Sequence, residues 1–201
     1  KSMQHFTQTF RRYLYQIELS MPFKLLTIFC CCGLVCLSGC GDDYYNSYRN
    51  FITRLASDGN YEQVKKYIEA GGKVDSINKK YDCSSLLNAA ACSGNLELVK
   101  YLVSQGARVN AYDSCGTTTL ISSVACKKYL ITEYLLQQGA DVNAKETGEY
   151  DKGNTALLEA AYKFDFPTIK LLVEAGADVN ARDGNGTFPL LSLIWYAQKD
   201  S

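Results

Sequence analysis

The sequence predicts an all-α solenoid in which about four pairs of helices stack in a row and a half-unit closes the C-terminal end. Three observations predict it. A segment ending in Val-Asp or Val-Asn recurs at a spacing near 33 residues, an apolar helical face precedes each copy, and small alanines cluster in the shorter helix before that face. The recurring valines are Val74, Val109, Val142 and Val179, at spacings of 35, 33 and 37 residues.

The units follow one another from Asn50 onward, and Asn50 to Asp75 forms a first, polar-surfaced unit. Shorter helices are predicted over 85–91 and 155–161, and longer helices from the apolar faces before each valine. These faces contain Val64, Tyr67 and Ile68; Leu98, Val99, Leu102 and Val103; Ile131, Tyr134, Leu135 and Leu136; and Ile169, Leu171, Leu172 and Val173. Residues 186–191 open a fifth unit that ends at about Gln198 and suits a terminal cap.

The second unit, residues 85–110, carries the repeated pattern best. It contains Ser85, Leu87, Ala90-Ala91, Gly94-Asn95-Leu96-Glu97-Leu98-Val99 and Gly106-Ala107. This pattern resembles the ankyrin repeat, whose motif runs Gly-x-Thr-Pro-Leu-His-x-Ala-Ala-x-x-Gly, and the resemblance covers roughly residues 49–201. It implies an all-α ankyrin-repeat solenoid of about four repeats plus a half-repeat C-terminal cap, with short β-hairpin fingers.

Glycines mark the ends of the helices in the predicted units. Gly106, Gly139 and Gly176 follow the longer helices, where we expect the left-handed conformation that ends a helix. Lys127 and Phe164 stand where the family has a glycine in the middle of the repeat, so we expect weaker turns there.

The N-terminal part is typical of an export signal. The chain is almost wholly apolar from Leu25 to Leu37, which as a helix rises about 20 Å and falls short of the roughly 30 Å hydrocarbon core of a bilayer. The segment Leu37-Ser38-Gly39-Cys40 resembles the lipobox of bacterial lipoproteins. The resemblance implies cleavage before Cys40 and acylation of that cysteine. A plain secretory signal and an uncleaved anchor are the alternatives.

These features divide the chain into segments. We interpret residues 21–39 as a lipoprotein signal peptide, 40–48 as a lipidated tether and 49–201 as the repeat domain. Residues 1–20 do not fit a signal, and we interpret them as an upstream extension or a start assigned too far upstream. One acidic and four basic residues precede Cys40 in a chain with 21 of each sign, so the remainder is mildly acidic.

Composition excludes several classes of function. The equal totals of basic and acidic residues leave no global field for nucleic acid. The sole histidine, His5, lies outside the repeat domain, so histidine-based catalysis and histidine zinc sites are not expected there. With no nucleophile elbow or phosphate loop either, we expect no catalytic, cofactor-binding or metal-binding residues, and no enzyme.

Nine cysteines divide into two groups. Five crowd the apolar N-terminal stretch, and Cys83, Cys92, Cys115 and Cys126 remain for the repeats. The two thiols of one unit are too far apart along the helices to pair, whereas neighbouring units are closer. We therefore predict Cys92–Cys126 and Cys83–Cys115 disulfides, formed in an oxidising compartment. The alternative is four free cysteines that act as small hydrophobic residues.

The ankyrin resemblance implies recognition of a protein partner on the concave side, formed by fingertips and the exposed residues of the first helices. Aromatic and charged residues at those places are the candidate contacts. They are Tyr81, Tyr112, Glu149, Tyr150, Asp151, Tyr162, Lys163, Trp195 and Tyr196. The alternatives are that Trp195 and Tyr196 seal the last unit and that the charged finger is only solvated.

Together these features favour a monomeric, lipid-anchored binding protein that faces the periplasm of a bacterial envelope. Gly41 stands after Cys40 in place of the aspartate that retains many lipoproteins in the inner membrane, which favours the outer membrane. The chain resembles immunity proteins that block an antibacterial effector. A scaffold or assembly factor for a resident envelope enzyme is the alternative, and nucleic acid is not an expected partner.

Overall fold

A computed structural model of the chain describes residues 51–75, 84–148 and 152–191. Paired helices follow one another throughout, which confirms the predicted all-α solenoid. The helices are α1 (51–57), α2 (Tyr61–Glu69), α3 (Leu86–Ser93), α4 (Leu96–Ser104), α5 (Thr119–Ala125), α6 (Tyr129–Gln137), α7 (Ala156–Tyr162) and α8 (Phe166–Glu174). Each consecutive pair is one repeat, numbered 1 to 4, with an inner helix followed by an outer helix. A further helix begins at Pro189 and is described as far as Leu191.

The inner helices of repeats 2 to 4 begin at hydroxyl residues. Ser85, Thr118 and Thr155 each accept a hydrogen bond from the backbone N–H three residues later. A hydroxyl at this position satisfies a donor that the first helical turn leaves without an intrahelical acceptor. These residues occupy the threonine position of the repeated motif, so the motif fixes where each inner helix starts.

Left-handed turns close both helices of a repeat. Gly106, Gly139 and Gly176, which follow the outer helices, have φ values of 90°, 81° and 91°, as predicted. At the turn between inner and outer helix, Lys127 and Phe164 adopt φ values of 54° and 52°. The turns of repeats 3 and 4 therefore keep the left-handed geometry without glycine, although an L-residue in that conformation costs roughly 1–2 kcal/mol.

The core runs continuously through the stack. Inner helices α3, α5 and α7 pack against one another in order, and outer helices α4, α6 and α8 form a second layer behind them. Alanines bring neighbouring inner helices close, and leucines fill the space between the layers. Ala90, Ala91, Ala160, Ala161, Leu98, Leu102, Leu135 and Leu172 are completely buried.

Asparagine side chains bridge consecutive repeats. Asn110 donates from Nδ2 to the carbonyl of Gly139 at 3.0 Å and accepts from the N–H of Asp141 at 2.8 Å. Asn143 repeats both contacts one unit later, with Gly176 at 3.2 Å and Asp178 at 2.8 Å. A side-chain amide can donate and accept at once, which explains why an asparagine follows Val109 and Val142.

The first joint uses a different pair. Asp75 replaces the asparagine in repeat 1, and a carboxylate can only accept. It accepts from the backbone N–H of Arg108 at 3.1 Å and from Arg108 Nε at 2.7 Å. Repeat 1 thus has an aspartate where repeats 2 and 3 have an asparagine, and the next repeat supplies an arginine that pairs with it.

Within the described ranges, the helices are all too short or too polar to cross a membrane. The predicted extension (1–20), signal peptide (21–39) and tether (40–48) lie outside the described residues.

The amide bridges predict a specific loss on substitution. Asn143→Ala should lower the free energy of unfolding by about 1–2 kcal/mol, because two hydrogen bonds between repeats 3 and 4 are removed. Urea unfolding followed by far-UV circular dichroism measures this change. Asn180→Ala is the matched control, since Asn180 follows the equivalent valine but shows no such bridge in the described part of the chain. Equal losses in the two variants would contradict the bridging role.

Candidate protein-binding surface

The inner helices of repeats 2 to 4 leave the same two positions partly accessible. The first position holds Cys92, Ala125 and Tyr162, and the second holds Ser93, Cys126 and Lys163. The rest of each inner helix is largely buried by its neighbours. These positions and the fingers that precede α5, α7 and the helix at Pro189 form the inner surface of the stack.

Two fingers are built around an aspartate that lies three residues before a glycine. Asp113 accepts through Oδ1 from the N–H groups of Cys115 and Thr117, and its Oδ2 accepts from Nδ2 of buried Asn88 at 2.8 Å. Each such finger is therefore folded by one carboxylate oxygen and held to the preceding repeat by the other. Because the carboxylate makes both sets of contacts, the finger backbone is less free to move than the backbone of a solvated loop.

The finger at Asp183 has the same design. Its Oδ1 accepts from the N–H groups of Asn185 and Thr187, both at 2.8 Å, while its Oδ2 accepts from the Tyr162 hydroxyl at 3.0 Å. The last finger is thus tied to the inner helix of repeat 4.

The finger before α7, which belongs to the unit with the longest valine spacing, contains a buried carboxylate. Glu146 is 8% exposed, and it accepts from the hydroxyl of Thr117 at 2.6 Å. Next to it, Thr147 donates its N–H to the carbonyl of Gly116 at 3.0 Å. These contacts join the fingers of repeats 3 and 4 into one surface. The described fingers contain isolated β-bridges, at Tyr112–Thr118 and Lys145–Thr155.

Comparison with known proteins identifies this architecture. A family model described as three copies of ankyrin repeats matches residues 52–146, and a single ankyrin repeat model matches residues 152–184. The chain belongs to the ankyrin repeat family. Ankyrin repeats are in general protein–protein interaction modules without enzymatic activity, so the inner surface is the candidate site for a protein partner.

Proteins similar to this chain come from diverse organisms. The chain is 31% identical over 138 residues to an ankyrin repeat protein of Rickettsia felis, and these residues cover 64% of this chain and 59% of the relative. It is 32% identical over 141 residues to an L-asparaginase of Dirofilaria immitis, which covers 69% of this chain but 22% of that protein. It is 31% identical over 121 residues to the mouse B-cell lymphoma 3 protein homolog, 60% of this chain and 26% of that protein.

A disulfide crosses the inner surface of the ankyrin stack. Cys92 at the end of α3 is bonded to Cys126 at the end of α5, with their Cα atoms 5.2 Å apart. Neighbouring repeats thus come within the reach of a disulfide at this end of the inner helices. Cys115 is also disulfide-bonded, and its proposed partner Cys83 lies outside the described residues.

The structure describes three of the proposed contact residues. Tyr112 is 41% exposed on the finger before α5, so its ring is open to a partner. Tyr162 is half-buried and donates to Asp183. Lys163 forms an ion pair with Glu159 at 3.3 Å. Tyr81, Glu149, Tyr150, Asp151, Trp195 and Tyr196 lie outside the described residues, as does Cys40.

Sequence reasoning missed the polar residues that hold the fingers in place. Asn88 contacts Asp113 and Thr119, and Glu146 contacts Thr117, although these partners are 25 to 31 residues away in the chain. The sequence does contain a local signal for two of the fingers, because an aspartate lies three residues before Gly116 and before Gly186.

The outer helices present a different surface. The ring of Tyr61 packs edge-on against that of Tyr101, with centroids 5.5 Å apart, and the ammonium of Lys100 lies 5.7 Å from the ring of Tyr134. Partial burial, and then the nearby Glu69 carboxylate, raise the pKa of Tyr101. These aromatic rings of the outer helices contact one another or a lysine.

The disulfide across the inner surface predicts a large contribution to stability. Replacing both Cys92 and Cys126 by serine should lower the free energy of unfolding by about 4 kcal/mol, because the bond closes a loop between residues 34 apart. Urea unfolding with and without reductant measures this, and reductant should affect the double variant less than the parent. Unchanged unfolding, together with alkylation of both thiols in the unreduced, denatured protein, would contradict the bond.

Proposed function

We propose that this protein is a membrane-tethered binding module of a bacterial cell envelope that recognises one protein partner through its inner surface. The proposed envelope location is based on Leu37-Ser38-Gly39-Cys40, which resembles a lipoprotein processing site. The Cys92–Cys126 disulfide supports it, because structural disulfides persist mainly in oxidising compartments such as the periplasm. The ankyrin repeats support a binding role.

The inner surface suits a binding role because its parts are held before a partner arrives. Asp113 and Asp183 fix two fingers, and the disulfide joins the inner helices of repeats 2 and 3. A preorganised surface loses less conformational entropy on binding than a mobile one. Tyr112 then presents a large aromatic ring at low entropic cost, as residues at the centre of protein interfaces commonly do.

For the partner, we propose an antibacterial effector whose active site the stack covers, so that the protein acts as an immunity protein. This rests on the likeness of small exported ankyrin proteins to immunity proteins. A scaffold for a resident envelope enzyme is the competing role. The two differ in one genetic outcome: loss of an immunity protein is lethal only while the effector is present.

The tether predicts a chemical modification at one cysteine. In cells fed an alkyne-labelled fatty acid, the full chain should be labelled and sediment with membranes, and Cys40→Ala should lose the label and remain unprocessed. Cys36→Ala is the matched control, because Cys36 lies in the same apolar stretch but does not follow Ser-Gly. Membrane-bound, processed Cys40→Ala protein, or equal labelling of all three chains, would contradict the proposal.

The binding surface predicts a residue-specific loss of partner. The full chain, solubilised in detergent, should capture its partner from envelope extract, and Tyr112→Ala should weaken capture about 5- to 30-fold. Tyr129→Ala is the control, since its ring is 39% exposed against 41% for Tyr112 but lies at the opposite end of the helices. Equal losses from both substitutions would show that the inner surface has no special role.

A further inference from the structure

The turns between inner and outer helices change character along the stack. Repeats 1 and 2 have glycine in the left-handed position, Gly59 and Gly94, with φ values of 69° and 87°. Repeats 3 and 4 hold Lys127 and Phe164 in the same conformation. An L-residue is crowded there, and backbone strain of this kind tends to collect at functional sites.

Lys128, the next residue, departs from the capping pattern of the other repeats. The residue before an outer helix caps it in the other three repeats, where Asn60, Asn95 and Asp165 accept from the helix N–H groups. Lys128 provides no side-chain cap for α6. Two lysines beside the positive end of a helix are also electrostatically unfavourable. Local stability therefore does not account for the pair Lys127-Lys128.

Exposed apolar side chains lie at the starts of the outer helices of repeats 3 and 4. Leu130 is 64% exposed, Phe166 is 62% exposed and Tyr129 is 39% exposed. Glu62 and Glu97 stand at the position of Leu130 in repeats 1 and 2. The earlier turns are thus acidic, whereas the later ones combine lysines with apolar residues. We call Lys127, Lys128, Tyr129, Leu130 and Phe166 the turn patch.

The turns lie side by side. Asn95 donates from Nδ2 to the carbonyl of Gly59 at 2.9 Å, and a Cβ placed on Gly94 would stand 3.1 Å from Nζ of Lys128. The turns of repeats 3 and 4 are neighbours as well, because α5 packs on α7 and α6 packs on α8. The turn patch is therefore one area at one edge of the stack.

We propose that the turn patch rests on an anionic lipid surface. Lys127 and Lys128 face the headgroups, while Leu130, Tyr129 and Phe166 enter the interface between headgroups and acyl chains. Lysine with exposed aliphatic and aromatic residues is the composition that binds such surfaces. The carboxylate of Asp165, the acidic group within the turn of repeat 4, is engaged by Thr168 at the start of α8.

A lipid surface fits this patch better than an acidic protein does. The residues stand at helix starts beside tight turns, on an edge of the stack. Each lysine near an anionic membrane strengthens binding about fivefold, which is weak by itself and useful when a second attachment exists. The inference rests on the proposed lipid tether only for that second attachment. Docking by this edge would turn the fingers, at the opposite ends of the inner helices, away from the membrane.

Hydrogen exchange with mass spectrometry on the full chain tests the proposal. The chain is bound to vesicles of phosphatidylcholine alone or mixed with phosphatidylglycerol. The amides of Tyr129 and Leu130 lie in the first turn of α6 and exchange readily, because such amides lack helical acceptors. We expect protection of residues 127–131 on the anionic vesicles alone, and its loss at high salt.

Paired substitutions separate binding from folding. Lys127→Gly with Lys128→Asn restores the glycine and the cap, so the variant should unfold at a higher urea concentration. Its affinity for anionic vesicles should fall about 25-fold, and its protection should fall with it. Lys145→Gln with Lys152→Gln removes the same charge from exposed finger positions and should leave the protection unchanged. A variant that is stabilised yet less protected cannot be explained by misfolding.

Three results would overturn the proposal. The first is equal protection on neutral and anionic vesicles, and the second is protection that survives the Lys127→Gly and Lys128→Asn changes. The third is protection that appears only when envelope protein freed of lipid is added, which would assign the patch to a protein partner. Fatty-acid labelling of Cys40 is measured separately, so failure of the tether and failure of the turn patch are distinguishable.

Discussion

The side-chain amide that follows the valine of repeats 2 and 3 is the contact on which the rest of the stack depends. No repeat buries its own apolar face, so the alanine-rich inner helices are stable only when the next repeat sits in register. Asn110 and Asn143 set that register by donating to a carbonyl and accepting from an N–H of the following unit. The fingers, the disulfide and the inner surface all assume their places because neighbouring repeats are held at this fixed offset.

The fold could be predicted from the sequence because its signals are local. A hydroxyl starts the inner helix, as at Thr118, and a glycine ends the outer helix, as at Gly139, and both effects act within one turn of backbone. Burial depends on more distant neighbours and was less well predicted. Val173, assigned to an apolar face, is 44% exposed. Helical periodicity indicates the side of the helix on which a side chain lies, but not whether a neighbouring element covers that side.

The candidate surface was predictable in outline and not in its contacts. Position in the repeat indicated that Tyr112, Tyr162 and Lys163 lie toward the inner side, but it could not reveal that the Tyr162 hydroxyl is already engaged by Asp183. Such hydrogen bonds join residues separated by 21 to 31 positions, so they depend on how repeats stack. The left-handed Lys127 shows the converse, since the stack imposes a turn that its own residues do not favour.

The ion pair between Asp75 and Arg108 makes the first joint chemically unlike the others. Dissolved salt screens two opposite charges at an accessible site, whereas neutral amide contacts at the later joints respond far less. Repeat 1 is therefore the unit whose attachment should vary with ionic strength, and fraying in concentrated salt should start at that end and leave repeats 3 and 4 assembled.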